Sequence, residues 1–442
     1  MIVADLLSDL KSFLPEMQIV DGENQSHPLG NGGQVSVYPK TEGEIASILK
    51  YANEKGKKIT VVGGGTKRGF GGLIETADIL LSLSKYKGIV KHTVGDMTLT
   101  VKAGTSFKEL QEYLAQHNQK VSLDPVWPED ATIGGIIASN ESGPKRLGYG
   151  SSRDAVIGLR LVYPDGSIIR AGGNVVKNVA GYDMNKLFIG SMGTLGILSE
   201  VTLKLRPMPK YESLGLLVFP DGNLEEVRSL VVKLLDSVME PVALELLNPA
   251  LSERLTGQNV YTLAISFEDV ESSVHYQEDF VKNIQPSNAK MTVLSQNEAQ
   301  AFWDKFYSIS PNGATLARGN QIEAALKIGV VNLDVLKVIK ESHILHHSST
   351  LTVEAHGGLG HGICQVNLKG TDDEDLTQVI LKLRKSVEAL GGYVIVKHLP
   401  LTLRQQIDVW GEKPSHFFLL EGIKTKIDPN RVLNNKRFVG GI

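Results

Sequence analysis

Apolar residues recur along this chain with two periods, about 3.6 and 2, which replace one another in short stretches. The opening Met1-Ile2-Val3-Ala4-Asp5-Leu6-Leu7-Ser8-Asp9-Leu10 places apolar side chains at helical spacing and carries acids where a secretory leader carries bases. Thr41-Glu42-Gly43-Glu44 resembles a capping box and predicts a helix to about residue 55, which passes through Gly56 into a short buried strand over 58–62. Strands are expected at 78–82, 87–92 and 97–103, and Ser106 with Glu109 predicts a helix to about 116. Pro164-Asp165-Gly166 separates the apolar runs 156–163 and 167–171 and predicts a hairpin turn.

The strand expected over 195–205 meets Arg206-Pro207-Met208-Pro209, whose prolines cannot extend a ladder and mark a domain border near 209. The pattern then restarts with strand 214–219, helix 224–238, strands 242–247 and 261–267, helix 270–281 and strand 291–294. Residues 322–328, 333–341, 350–355, 363–368, 375–390 and 393–397 read as β-α-β-β-α-β, the split arrangement of a ferredoxin-like sheet. Helical stretches follow near 401–409 and 417–427, and no transparent repeat shows. The expected class is α+β, with domains at 1–208 (core about 30–208) and 209–399 and a tail at 400–442 that returns to the first.

The 442 residues suffice for two or three domains with large cores. A formal net charge of −3 gives no basic excess, so no nucleic-acid partner is expected, and an anionic ligand would rest on backbone dipoles and selected cations. No apolar run approaches the ~18 residues of a membrane span. Cys364 is the only cysteine, which excludes an intrachain disulfide and an all-cysteine iron–sulfur cluster within the chain. A reducing cytoplasmic setting fits, with peripheral membrane attachment through a partner left open.

Three glycine-bearing segments carry the candidate chemistry. Val61-Val62-Gly63-Gly64-Gly65-Thr66-Lys67-Arg68-Gly69-Phe70-Gly71-Gly72 follows a strand, and backbone without side chains can approach a pyrophosphate and turn N–H groups toward it. It has neither the dinucleotide fingerprint nor the Walker spacing, and a plain turn would account for it equally well alone. Asp124-Pro125-Val126-Trp127-Pro128-Glu129-Asp130-Ala131-Thr132-Ile133-Gly134-Gly135 leads to Ser139 and Asn140, with Thr132 placed to cap a helix, although close helix packing would also use Gly134 and Gly135. The third runs from Lys177 through Gly190-Ser191-Met192-Gly193-Thr194-Leu195-Gly196-Ile197 into a strand.

The order of these motifs over roughly residues 30–208 resembles the FAD-binding domain of the vanillyl-alcohol oxidase and p-cresol methylhydroxylase superfamily. Within it the chain resembles the FAD-binding subunit of bacterial glycolate oxidase in Val176-Lys177-Asn178-Val179-Ala180-Gly181-Tyr182-Asp183, Ile407-Asp408-Val409-Trp410-Gly411 and Asp428-Pro429-Asn430-Arg431-Val432-Leu433-Asn434. The resemblance implies a two-subdomain FAD-binding domain under a ferredoxin-like α+β cap. It further implies that Gly63, Gly64, Gly65, Thr66 and Gly69 cradle the pyrophosphate, and that Pro125, Thr132, Ile133, Gly134, Gly135, Ser139 and Asn140 line the ribityl and phosphate path. Gly143, Gly150, Asp154, Val156, Gly196 and Ile197 would close around the adenine and flavin. The loop from Gly63 to Gly72 contains no histidine for a covalent tether, so non-covalent FAD is expected.

Related lactate and glycolate dehydrogenases carry a glutamate where this chain has Met192, which favours likeness to the oxidase subunit. Metal-dependent relatives have a Gly-Asp-Gly-Asn-type loop and a Glu-His pair where this chain has Glu354-Ala355-His356-Gly357-Gly358-Leu359-Gly360-His361-Gly362 and Lys397-His398. Oxidation of a hydroxy acid needs a base, for which the lid offers His356 and His361 as catalytic candidates; they read as loop or flavin-proximal residues and not as a metal site, since two histidines rarely fix a catalytic metal. Arg318, Lys327 and Lys397 are candidate carboxylate anchors, although a solvated or salt-bridged cation accounts for each equally well, with Cys364 a small strand residue and Trp410 a packing anchor.

The resemblance implies oxidation of a small 2-hydroxy acid, glycolate or D-lactate, within a complex that includes an iron–sulfur subunit and a second flavoprotein. A non-catalytic FAD-holding or electron-relay subunit, and a sugar or aldonolactone oxidase of the same fold, are the alternatives.

Overall fold

The computed structural model describes residues 2–21, 27–173, 182–315 and 319–442. Strands β1 (Ile19–Asp21), β2 (Gly32–Val37), β3 (Ile59–Val62) and β4 (Thr76–Ser82) form a sheet in the order β1-β2-β4-β3, with β2, β4 and β3 parallel. Strands β5 (Ile89–Thr93), β6 (Thr98–Lys102), β8 (Val156–Val162), β9 (Ile168–Gly172) and β10 (Ile197–Lys204) form an antiparallel sheet in the order β5-β6-β10-β8-β9. The short β7 (Gln119–Lys120) and β11 (Arg206–Pro207) pair beside them.

Thr41 and Glu44 form the expected capping box, and the helix Glu42–Lys55 buries Ile45, Ile48, Leu49 and Ala52 at three- and four-residue spacing before Gly56 ends it at φ 66°. Those side chains join one apolar core that spans both sheets and takes in Val432 and Leu433 from the tail.

The remaining strands are β12 (Tyr211–Phe219), β13 (Ala243–Leu247), β14 (Tyr261–Asp269), β15 (Lys290–Val293), β16 (Ile322–Gly329), β17 (Thr352–Gly358), β18 (Ile363–Gly370) and β19 (Tyr393–His398). They make one antiparallel sheet, β15-β12-β14-β13-β17-β18-β16-β19. Numbered within each set of four, both halves read 4-1-3-2, so two ferredoxin-like units lie edge to edge across β13 and β17. The sequence pattern predicts the second unit; that the first shares its order is a finding of the structure.

Two helices of the first half lie outside the sequence expectation: Pro249–Thr256, capped by Asn248 with Pro249 in its first turn, and Gln296–Phe306, capped by Ser295 and Glu298. The helix expected at 333–341 extends as Val335–Ser348, and that expected near 401–409 shortens to Leu401–Arg404.

The two faces of the eight-stranded sheet differ. One is apolar throughout, from Leu217, Leu244 and Leu263 to Leu326, Val366 and Val396, and packs against long helices. On the other, Leu214, Leu216 and Ala264 are covered by Phe302, Trp303 and Phe306, but β16–β19 present Lys327, Gln365, His356 and Lys397, which alternate with the apolar positions.

Candidate active site

The loop after β3 forms one wall of an open cleft. A Cβ on Gly63 would strike the Thr132 hydroxyl, and one on Gly64 the carbonyl oxygen of Asp130, so only glycine lets the first loop touch the second. Among the described residues the N–H groups of Gly63, Gly64, Gly65 and Thr66 donate to no protein acceptor. Four unsatisfied amides in succession form an anion cradle.

The loop is held from behind by its carbonyls. Buried Arg404 donates to Gly69 O (3.1 Å) and Gly72 O (3.0 Å), and Arg437 donates to Lys67 O (3.0 Å) and Val61 O (3.4 Å). Burial lowers the guanidinium of Arg404 to about 9 and that of Arg437 to about 10, so both stay charged at neutral pH. Asn434 accepts from Val61 N–H (2.9 Å) and donates to Met192 O (2.8 Å), which ties the first and third glycine segments together.

Gly63, Gly64, Gly65, Thr66, Thr132, Gly134, Gly135, Ser139, Gly196 and Ile197 line this cleft together. Thr132 caps the helix Ile133–Ser139, with Gly135 N–H donating to its hydroxyl (3.3 Å). The other nominated positions lie outside the lining. Gly69 packs against His398, where a Cβ would sit 2.8 Å from Nδ1. Ile133 is core, with its N–H on Thr105 O (2.9 Å), and Asn140 ends the helix at φ 47°.

Pro125 lines a separate hollow with Asp124 and Tyr307. Gly143 N–H donates to Asp124 (2.8 Å), Gly150 abuts Asp154, Asp154 completes a cap with Ser151, and Val156 opens β8. Lys67, Arg68, Met192, Asn434 and Arg437 are lining residues that sequence reasoning did not nominate. Residues 176–181 of the third motif and Arg318 fall outside the described residues.

A charged chain joins the cleft to the polar face of the large sheet. Lys67 pairs with buried Glu141, whose other oxygen meets Lys397 Nζ at 3.3 Å. Burial pushes the Glu141 carboxyl up, but Lys397 and Lys67 outweigh it and hold it at about 2. Lys327 has no ion pair among the described residues, and burial, with Lys397 and Arg146 nearby, lowers its ammonium to about 8. Across the strands Lys327 lies opposite Gln365, and Gln365 opposite His356. Among the described residues Gln365 Oε1 and both amide atoms of Asn367 are buried without a partner.

His356 and His361 converge on one carboxylate. Glu245, on β13, lies 2.7 Å from His356 Nδ1 and 3.3 Å from His361 Nε2. Burial raises the Glu245 carboxyl, and the hydrogen bond from His356 together with the nearby His361 imidazole brings it below its ordinary value. His361 Nδ1 accepts the Ile363 N–H at 3.2 Å, which puts its proton on Nε2. His356 donates from Nδ1, packs against Phe306 at 4.6 Å between ring centroids, and keeps Nε2 without a partner among the described residues. No group of three or more His, Cys, Asp or Glu among the described residues is arranged to hold a metal ion.

Bare amides beside an apolar floor of Leu80, Leu83, Ala138 and Leu198 suit a diphosphate that carries a flat ring system, so the cleft fits FAD. Residues 33–172 match the family described as FAD binding domain. The D-lactate dehydrogenase of Anaerostipes hadrus is 29% identical over 91% of this chain and 88% of that protein. Glycolate oxidase subunit GlcD of Bacillus subtilis is 28% identical over 90% and 87%. The mitochondrial D-lactate dehydrogenase [cytochrome] of Arabidopsis thaliana is 29% identical over 67% of this chain, a match that spans 54% of that protein's length.

Among solved structures, 4-ethylphenol oxidase from Gulosibacter chungangensis superposes with a TM-score of 0.77 over 98% of this chain and 96% of that one, at 14% identity. p-Cresol methylhydroxylase does so with a TM-score of 0.75 over the same shares, at 15% identity. No helix among the described residues is long and apolar enough to cross a membrane. With an FAD binding domain over residues 33–172, the fold it shares with p-cresol methylhydroxylase, and its likeness to D-lactate dehydrogenase and glycolate oxidase subunit GlcD, the chain is an FAD-dependent oxidoreductase.

Proposed function

We propose that the chain oxidises a small 2-hydroxy acid of the glycolate or D-lactate type to its 2-oxo acid, with FAD bound non-covalently. Residues 1–208 hold the cofactor in this reading, 209–399 cover it and 400–442 return to brace the loop. When bound, FAD supplies the acceptor for the hydrogen that leaves the substrate carbon. The names and lengths of the matched relatives support the substrate class.

The row of Lys327, Gln365 and His356 on three neighbouring strands carries the proposal. Strands lie ~4.8 Å apart, so a cation and an imidazole two strands apart suit the two ends of a two- or three-carbon hydroxy acid. Lys327 binds the carboxylate as a buried cation otherwise without one. His356 accepts the hydroxyl proton at Nε2, while Glu245 holds its Nδ1–H and stabilises the imidazolium that forms. Gln365 and Asn367 offer their free amide ends to the same substrate. A sugar or aldonolactone would leave the charge of Lys327 unused. Non-covalent binding is supported by the cleft lining, which holds no histidine, cysteine or tyrosine among the described residues.

Anaerobic addition of glycolate or D-lactate to the yellow holoprotein should bleach its flavin absorbance, and acid precipitation should release the colour into solution. His356→Asn should slow the reduction by roughly 10²–10⁴-fold. Absorbance that neither acid changes overturns the substrate.

The match to a protein named a subunit favours a second arrangement, in which this chain works inside a complex with an iron–sulfur subunit and a second flavoprotein. If it is only an assembly or relay subunit there, the isolated chain will not turn over with an artificial acceptor.

A further inference from the structure

We propose that the apolar groove beside Phe438 is the docking site of an acidic one-electron carrier protein, reached from the cofactor cleft through Phe70, Trp410 and Phe438. The proposal rests on the reading of the chain as a flavoprotein oxidoreductase and adds where its electrons leave.

Phe70 is buried at the end of the glycine loop that lines the cleft. Its ring stacks on Trp410 at 5.0 Å between centroids and 25° between planes, and Trp410 meets Phe438 edge-on at 5.0 Å. Packing alone leaves the Trp410 indole N–H buried without an acceptor, a cost that a purely structural anchor would avoid. Phe438 in turn lines a groove of about 630 Å³ with Leu187, Ile189, Leu420, Ile423 and Ile442. Phe418 and Leu419, on the helix Phe417–Ile427 that forms one lip, are 69% and 54% exposed. Contiguous rings therefore connect the cofactor loop to an open apolar surface.

Charge selects the occupant. Among the residues of 410–442 that are not buried, Lys413, Lys426, Arg431 and Lys436 outnumber Glu412 and Glu421, although the whole chain is net −3. Lys413 lies over the Phe417 ring at 4.8 Å, and Lys426 is exposed on the same helix. An apolar patch with a cationic rim complements a carrier with an acidic face. Since Cys364 is the single cysteine, a cysteine-ligated relay must come from outside this chain. Oxidation of one hydroxy acid to the oxo acid yields two electrons and two protons. Two oxidised carriers take one electron each, and the protons go to solvent.

The test uses FAD-loaded protein reduced with dithionite, so its outcome does not depend on the substrate. Oxidised cytochrome b5, an acidic haem protein, is the probe, with basic cytochrome c and ferricyanide as comparisons. Cytochrome b5 should bind wild type in co-sedimentation at low salt, should reoxidise it faster than cytochrome c does, and both effects should fade as salt rises. Phe418→Asp with Leu419→Asp should cut binding and the cytochrome b5 rate by roughly tenfold or more, with the ferricyanide rate unchanged. Trp410→Leu should keep binding yet slow the electron step. Equal rates with both cytochromes, or double-variant binding equal to wild type, overturn the proposal. So does a double variant whose only change is weaker flotation with anionic phosphatidylserine vesicles or a smaller self-associated species, since the groove would then serve a membrane or a second copy.

Discussion

Gly64 shows what a single residue decides in this chain. A methyl group there would meet the carbonyl of Asp130, a backbone atom that cannot swing aside. Gly64→Ala should therefore weaken FAD retention through gel filtration more than it lowers the urea midpoint of the apoprotein. Lys327 makes a second prediction, with a sign set by its lowered ammonium. Charged below about 8 and neutral above it, it should hold a carboxylate less well as pH rises through that value, so kcat/KM for the hydroxy acid should fall there. Lys327→Arg should remove that alkaline limb, because guanidinium stays charged across the range.

The glycines that line the cleft and the two histidines beside Glu245 could be singled out in the sequence through the order of the glycine motifs and the family resemblance that it carries. Glu141, Glu245, Arg404 and Arg437 could not, since what sets each apart is a buried partner more than 70 residues away in the chain or, for Arg437, a far-off backbone carbonyl. Gly143 and Gly150 lie outside the cleft lining, and their close approaches are to Asp124 and Asp154.

Single elements were easiest to read where a cap announces them. Thr41 accepts the Glu44 N–H at 3.2 Å and Glu44 accepts the Thr41 N–H at 3.1 Å, so Thr41→Ala should cost about 1 kcal/mol of stability in a denaturant titration. Ser295 and Glu298 make the same motif, and Asn248-Pro249 is as plain a start signal, yet both helices escaped a reading that followed apolar period over such short stretches. The polar face of β16–β19 was hidden for a different reason. Lys327, Gln365 and His356 are far apart in sequence, and only strand register sets them in a row.

At the scale of the whole molecule, two buried carboxylates fasten the large sheet to the cofactor half. Glu141 is gripped by Lys67 and Lys397, while Glu268 takes Lys120, Lys145 and Tyr149. Despite burial, the surrounding lysines hold each carboxyl at about 2, below its ordinary 4.5. A depressed folded-state value means that these clasps stabilise the fold fully above about 4.5 and lose that contribution as pH falls from there through 2. Acid titration followed by tryptophan fluorescence should show a loss of stability in that window, and Glu268→Gln should reduce its amplitude. The sequence pattern located the strands of the sheet, but an edge pairing between residues more than 100 positions apart leaves no local mark.

That pairing is narrow. β13 and β17 meet through Glu245↔Gly358, Leu246↔Gly357 and Leu247↔His356, and across this join Glu245 from one ferredoxin-like unit holds His356 from the other. In the proposed reaction neither unit would supply an oriented base on its own. Loosening that join would, in the proposed reaction, disorder the proton acceptor while leaving the bare amides of the glycine loop in place.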